Sequence, residues 1–85
     1  MQRIFKYPLK IEDRQVLMVP TGGLPRAVQW QGAQLCLWVE VSSEATPVPR
    51  EFAIYGTGHP MPAYPGNYVG TFQMEGGSLV FHLYD

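Results

Sequence analysis

The sequence has a single cysteine, no long apolar run and few charged side chains. Cys36 has no second cysteine to pair with, so no internal disulfide can form. Secreted domains of this size usually depend on several disulfides, and the lack of a pair therefore predicts a reducing, cytoplasmic compartment. Residues 1–7 have neither the apolar segment nor the cleavage site of a signal peptide. No apolar run approaches the roughly 20 residues that cross a bilayer, so we expect no membrane association.

Charged residues make up only 15% of the chain, and six basic against seven acidic side chains give a net charge of −1. A general nucleic-acid binder needs a basic surface to contact phosphates, so this charge balance argues against that class. Hydrophobic residues account for 46% of the chain, which excludes an intrinsically disordered protein. A chain of 85 residues has room for one domain, and we assign residues 1–85 to it.

Nine glycines and eight prolines are dispersed along the chain and separate short segments of alternating polarity. Alternation with a period of two predicts β-strands. Loops are expected at residues 20–25, 43–49 and 56–66, where glycine, proline or serine interrupts the pattern. In the first strand Pro8 removes one hydrogen-bond donor, which predicts an edge strand or a bulge. The predicted strands cover residues 3–11, 14–19, 27–31, 34–41, 50–55, 69–74 and 79–84.

Two hairpins are the clearest features of the pattern. A type II′ turn at Gly32-Ala33 pairs Trp30 with Leu35 and Val28 with Leu37, which places Trp30 in the core. The same register puts four residues on the opposite face: Gln29, Gln31, Cys36 and Trp38.

The second hairpin turns at Gly76-Gly77. Its inward pairs are Met74–Leu79, Phe72–Phe81 and Gly70–Leu83, and its outward pairs are Gln73–Val80, Thr71–His82 and Val69–Tyr84. Glycine opposite a large side chain predicts a close approach or a local bend at Gly70.

Seven strands with a turn every eight to twelve residues predict an all-β fold. We expect a small antiparallel β-sandwich or partly open barrel built from hairpins. The chain has only two lysines to discourage pairing along its sheet edges, which predicts a homo-oligomer.

The loop Gly56-Thr57-Gly58-His59 is the strongest candidate for a ligand site. Its glycines allow close backbone approach and successive N–H groups can form an anion-binding nest, while Thr57 and His59 add side-chain donors. The loop lacks the Gly-Lys-Ser/Thr ending of a phosphate loop. The alternative is a tight structural turn that His59 caps. Trp38, which faces outward, and Arg50 complete the predicted ligand-binding set.

The remaining chemically interesting residues favour structural roles. A hydrogen-bonded His82 is more plausible than a catalytic base, and a packed, inert Cys36 is the usual fate of a free cysteine. Zinc binding by Cys36, His59 and His82 is not favoured, because no local ligand spacing is present. The chain also has no nucleophile elbow. We therefore predict a protein that is not an enzyme and has no metal or cofactor.

Five segments resemble a family of small, uncharacterised phage and prophage proteins, and together they span nearly the whole chain. The segments are FKYPL (5–9), LCLW (35–38), YGTGH (55–59), YVGTF (68–72) and LVFH (79–82). The common form of the family begins Trp-Lys-Tyr, where this chain has Phe5-Lys6-Tyr7. The resemblance implies a phage-encoded protein that acts in the host cell cytoplasm, and it brings no known activity or site residues.

These observations predict a phage-encoded, non-enzymatic binding module. In the leading hypothesis the module sequesters a small anionic, nucleotide-like host defence signal at the Gly56–His59 loop, or inhibits a host protein. The alternative is a protein–protein or virion-associated accessory role that uses an exposed β edge. A third hypothesis, a small hydrolase or metal enzyme, requires His59, His82 and a carboxylate to meet in one cleft.

Overall fold

The computed structural model describes residues 1–85 as seven β-strands with one short 3-10 helix at Glu75–Gly77. None of its helices has the length and apolar character needed to cross a bilayer. The strands, in chain order, are β1 (Gln2–Pro8), β2 (Arg14–Pro20), β3 (Leu24–Gln31), β4 (Gln34–Ser42), β5 (Pro47–Gly56), β6 (Tyr68–Met74) and β7 (Leu79–Tyr84).

The strands form two antiparallel sheets, one with the order β1-β4-β3 and one with the order β2-β5-β7-β6. The sheets pack as a partly open sandwich, which confirms the predicted fold class. Strands β3 and β6 lie against each other where the two sheets meet. Strand β1 lies at an edge, as Pro8 indicated.

The core is continuous between the two sheets. Eleven buried apolar side chains form one cluster, and both sheets contribute to it. Its members are Leu9, Val19, Val28, Leu35, Leu37, Val39, Val41, Phe52, Ile54, Phe72 and Leu83. The period-two alternation therefore identified the inward faces correctly along most of the chain.

Both predicted hairpins are present, and all but one of their predicted residue pairs have the predicted register. Trp30 lies opposite Leu35 and Val28 opposite Leu37, and Gly32 has the positive φ (59°) that the first central position of a type II′ turn needs. In the second hairpin, Met74 lies opposite Leu79 and Thr71 opposite His82.

One pair of the second hairpin was predicted wrongly. Tyr68, rather than Val69, lies opposite Tyr84, because the register shifts between Tyr68 and Gly70. A Cβ placed on Gly70 would come within 2.7 Å of Val28 Cγ1. The predicted bend and the predicted close approach at Gly70 thus occur together.

Several strand ends differ from the sequence prediction. The first strand ends at Pro8, and the third begins at Leu24. The fifth begins at Pro47 rather than at residue 50. The strand can include Pro47 and Pro49 because neither nitrogen lies where a neighbouring strand needs a hydrogen-bond donor. Ile54 N–H donates to Asp13 O at 3.0 Å, and alternation from this bonded pair turns the nitrogens of Pro47 and Pro49 away from β2. Strand β7 pairs with β5 only from Ala53 onward, so no strand needs those two donors.

The core position predicted for Trp30 is wrong, whereas Trp38 faces outward as predicted. Trp30 is 38% exposed and lies at the margin of the core, where its ring meets Phe72 edge-to-face at 6.3 Å. Its Nε1–H donates to Gln73 O at 2.8 Å, which requires a position at the rim between the sheets. Trp38 is half-buried, in register with Lys6 and Ala27 on the outer face of the three-stranded sheet.

Candidate functional site

The Gly56–His59 segment forms a tight turn that uses its own main-chain donors. His59 N–H donates to Gly56 O, and Thr57 N–H donates to Val80 O, both at 3.0 Å. The His59 ring stacks so closely over Gly56 that a Cβ there would lie 2.7 Å from Nδ1. Two of the amides on which the predicted anion nest depends are therefore already bonded within the fold.

The structure does not bring the other predicted ligand-binding residues to this turn. Trp38 lies on the outer face of the opposite sheet. Arg50 forms an ion pair with Asp85 and donates to Gly23 O, and its guanidinium lies 6.0 Å from the Phe52 ring centroid. Through these contacts Arg50 connects the C-terminal residue Asp85 to the segment between β2 and β3, and it does not line the Gly56–His59 turn.

His82 is held between two threonine hydroxyls on the outer face of the four-stranded sheet. Its Nε2 lies 2.8 Å from Thr57 Oγ1, and its Nδ1 lies 2.9 Å from Thr71 Oγ1. The chain of hydrogen bonds continues from Thr71 Oγ1 to the Tyr68 hydroxyl at 2.6 Å. Both ring nitrogens are thus satisfied, which fixes the orientation of the imidazole.

Three tyrosines extend this network across the sheet. Tyr84 meets Tyr68 edge-to-face at 5.6 Å and Tyr55 edge-to-face at 5.7 Å. We call the surface formed by Tyr55, Tyr68, Thr71, His82 and Tyr84 the tyrosine face. Because three adjacent strands supply its members, their relative positions are fixed by the β-ladders between them.

The proline-rich loop that follows the turn overhangs one side of the tyrosine face. Two cavities, of about 410 and 280 Å³, lie beneath it and share the lining residues Arg14, Tyr55 and Pro62. Tyr64, whose side chain is 95% exposed, lines the smaller cavity. The shared residues join the two cavities into a groove that runs along one margin of the tyrosine face.

The charges near this groove do not favour an anion. Glu12 and Asp13 line the larger cavity and form no ion pair, whereas Arg14 is paired with Glu51 at 2.9 Å.

The two groups with shifted pKa values lie outside this groove. Burial raises the pKa of Tyr7 on β1, and a hydrogen bond from the N-terminal ammonium lowers the pKa of Glu44.

No group of three or more histidine, cysteine, aspartate or glutamate side chains is arranged to hold a metal ion. Cys36 is buried in the three-stranded sheet, while His82 lies on the outer face of the other sheet. The zinc set considered from the sequence is therefore not assembled.

A comparison with protein-family models gives a match over residues 1–85 to DUF7352, a domain of unknown function. The chain belongs to the DUF7352 family. No curated protein and no solved structure matches the chain. Membership agrees with the expected resemblance to an uncharacterised family, while the phage origin of this DUF7352 member stays a prediction.

Sequence reasoning placed Thr71, His82 and Tyr84 of the tyrosine face on the outward side in this DUF7352 domain, but it did not bring the five members together. The outward pairing of Thr71 with His82 was predicted correctly, and alternation along β5 places Tyr55 beside them. Tyr68 was missed because the bulge at Val69 shifts the register by one residue. A period-two pattern carries no signal for such a shift, although the glycine at position 70 marks where it occurs.

Proposed function

We propose that this protein is a non-enzymatic binding module and that the tyrosine face is where it contacts a partner protein. The observation that carries the proposal is the hydrogen-bonded chain from Tyr68 through Thr71 and His82 to Thr57. It lies beside tyrosine rings that are packed against one another and still reach solvent: Tyr68 is 58% exposed.

Tyrosine suits protein recognition because its ring offers a large apolar area while its hydroxyl can still bond across the interface. Ordering flexible side chains during binding costs free energy. Here the side chains are already ordered by their mutual contacts, so less ordering remains to be done when a partner arrives. Pre-ordered aromatic residues are also typical of the few positions that dominate binding energy.

A peptide-display selection against the folded protein tests this assignment. We expect selected linear peptides to lose affinity by about tenfold or more for Tyr68→Ala, as measured by fluorescence anisotropy. Ile4→Ala is the matched control, because Ile4 is 56% exposed and lies on β1 in the opposite sheet. Peptides that no longer bind the Ile4→Ala variant but bind the Tyr68→Ala variant normally would overturn the proposal.

A small anionic, nucleotide-like ligand at the Gly56–His59 turn is the second candidate function. A cavity of about 300 Å³ beside the turn supports it, since the polar side chains of Thr57, His59 and Ser78 line it. Native mass spectrometry of protein purified from expressing cells tests this candidate. Recovery of an anion on the wild type that is absent from His59→Ala supports it, whereas ligand-free wild type, or the same anion on both proteins, rejects it.

The setting proposed for either role is a phage-encoded protein in the cytoplasm of the host cell, in keeping with the resemblance of the segments described above. In that setting the tyrosine face would inhibit a host protein, and the turn would sequester a defence signal. Deleting the encoding gene from a phage genome and measuring plaque formation on hosts with and without defence systems tests this setting. Equal plaque numbers on every host would contradict it.

A further inference from the structure

The four-stranded sheet has one long edge that nothing covers. Strand β2 pairs only with β5, and its central residues 15–19 carry no charge. Val16 and Met18 are 59% and 57% exposed. The other edge strands differ, because β3 and β6 lie against each other and β1 carries Lys6 and Pro8, which discourage edge pairing.

The main-chain groups of β2 alternate between β5 and solvent. Asp13 O accepts from Ile54 N–H, and the β2–β5 register continues without a shift from Arg14 to Pro20. In an antiparallel ladder, residues two apart point their N–H and C=O groups to the same side. Leu17 and Val19 therefore bond to β5, while Val16 and Met18 direct their N–H and C=O groups to the open edge.

We infer that this edge pairs with β2 of a second copy of the chain in a two-fold symmetric, antiparallel arrangement. Placing the axis at Leu17 sets Val16 opposite Met18 of the second copy, and Met18 opposite its Val16. Each of these pairs exchanges two main-chain hydrogen bonds, because both residues face the edge. The two four-stranded sheets then join as one sheet of eight strands.

The side chains of this register are self-complementary. Val16 and Met18 project on the outer face of the sheet, so the four side chains at the axis form one apolar stripe. Arg14 falls opposite Pro20 at the ends of the ladder and stays in solvent with its partner Glu51. A two-fold axis brings identical surfaces together, and the uncharged centre of β2 avoids the like-charge contacts that would oppose this.

The dimer is independent of the proposed function, because the β2 edge and the tyrosine face lie at different strands of the sheet. Two short strands bury less than the ~1,200 Å² of a standard interface, so we expect association to appear in the upper micromolar range. Sedimentation equilibrium from low micromolar to millimolar protein should show monomer converting to dimer. A monomer at every concentration would overturn the inference.

Two substitutions at the edge locate the interface. Met18→Lys should weaken dimerisation about tenfold or more by placing a charge in the apolar stripe. Ile4→Lys is the matched control, because Ile4 is 56% exposed on β1 and the charge change is the same; it should leave the dimer intact. Val16→Pro, which removes an N–H that faces the open edge, provides a second disruption without a new charge. Dimer loss with Ile4→Lys alone would contradict the assignment.

Amide hydrogen exchange gives a readout that depends on the register. The amides of Val16 and Met18 should gain protection as protein concentration rises, because they become bonded only in the dimer. The amides of Leu17 and Val19 already donate to β5 and should change little. Protection that appears on β1 or β3 in place of Val16 and Met18 would refute the β2 interface.

Discussion

The Arg50 side chain contacts two segments that are distant from it in the chain and one aromatic ring on its own strand. It pairs with Asp85, donates to Gly23 O in the β2–β3 turn, and lies over the Phe52 ring. Its side chain is 24% exposed and that of Asp85 is 12% exposed, so solvent screens this pair less than a surface pair. The arginine that sequence reasoning assigned to a ligand thus has a structural role in the fold.

Arg50→Ala should lower the free energy of unfolding by about 1–3 kcal/mol, because the Asp85 carboxylate and the Gly23 carbonyl both lose a charged donor. Urea unfolding measured by circular dichroism checks this. Arg14→Ala is the matched control, since its ion pair with Glu51 is 55% and 57% exposed and should be worth less than about 1 kcal/mol. Equal losses for the two variants would contradict the structural role of Arg50.

Tyr7 gives the stability of the protein a dependence on alkaline pH. Burial raises the pKa of its hydroxyl above the ordinary value of 10.0, because the charged phenolate is disfavoured in the partly apolar site. A raised pKa in the folded state means that this contribution to stability is fully present below pH 10. It is lost as the pH rises through the raised value.

As the pH rises above 10, the free energy of unfolding should therefore fall less for Tyr7→Phe than for the wild type. Thermal unfolding followed by circular dichroism across this range measures the difference. Tyr64→Phe, on a ring that is 95% exposed, controls for the loss of one tyrosine hydroxyl. A Tyr7→Phe curve that runs parallel to the wild type at every pH would show that burial at this site has no such effect.

At the scale of elements, the contact between β3 and β6 closes one side of the sandwich. Val28 on β3 reaches into the space above Gly70 on β6, where any side chain would come within 2.7 Å of its Cγ1. The bulge beside Gly70 turns Tyr68 toward Tyr84 and completes the tyrosine face. One glycine therefore allows both the closure of the fold and the position of a candidate binding residue.

Gly70→Ala should destabilise the protein by about 1–3 kcal/mol, because the added methyl group overpacks a closed contact. Adding Val28→Ala removes the opposing methyl groups, so the cost of Gly70→Ala should be smaller in that background. Denaturant unfolding of the four proteins of this double-mutant cycle measures the coupling. Additive effects would show that Val28 is not what excludes a side chain at position 70.

At the scale of the whole molecule, a single core cluster draws on both sheets. Neither sheet could keep its inner face buried if the other unfolded. A shared core of this kind predicts one cooperative, two-state transition. The exposed groups of the tyrosine face and of the β2 edge lie outside this core and can take part in binding without disturbing it.

The Trp30→Phe variant tests this cooperativity. Trp38 is then the only tryptophan, and its fluorescence reports on the three-stranded sheet, while far-ultraviolet circular dichroism reports on the strands of both sheets. The two signals should change at the same urea concentration when protein concentration is held fixed. Separate midpoints would indicate that the two sheets unfold independently.

The sequence alone determined the inward faces, the two hairpins and the all-β class of this protein. These features depend on neighbouring residues, because strand alternation and turn chemistry act over a few positions. The close approach at Gly70 was also predictable, since a glycine within a strand marks a place where a side chain does not fit.

Tertiary structure alone decided which residues meet. The partners of Arg50, the exposed position of Trp30 at the rim and the grouping of Tyr55, Tyr68 and Tyr84 all depend on strand order and on one bulge. The open edge of β2 likewise follows from sheet order. These arrangements are non-local: they join positions tens of residues apart, and no local alternation pattern encodes which strand lies beside which.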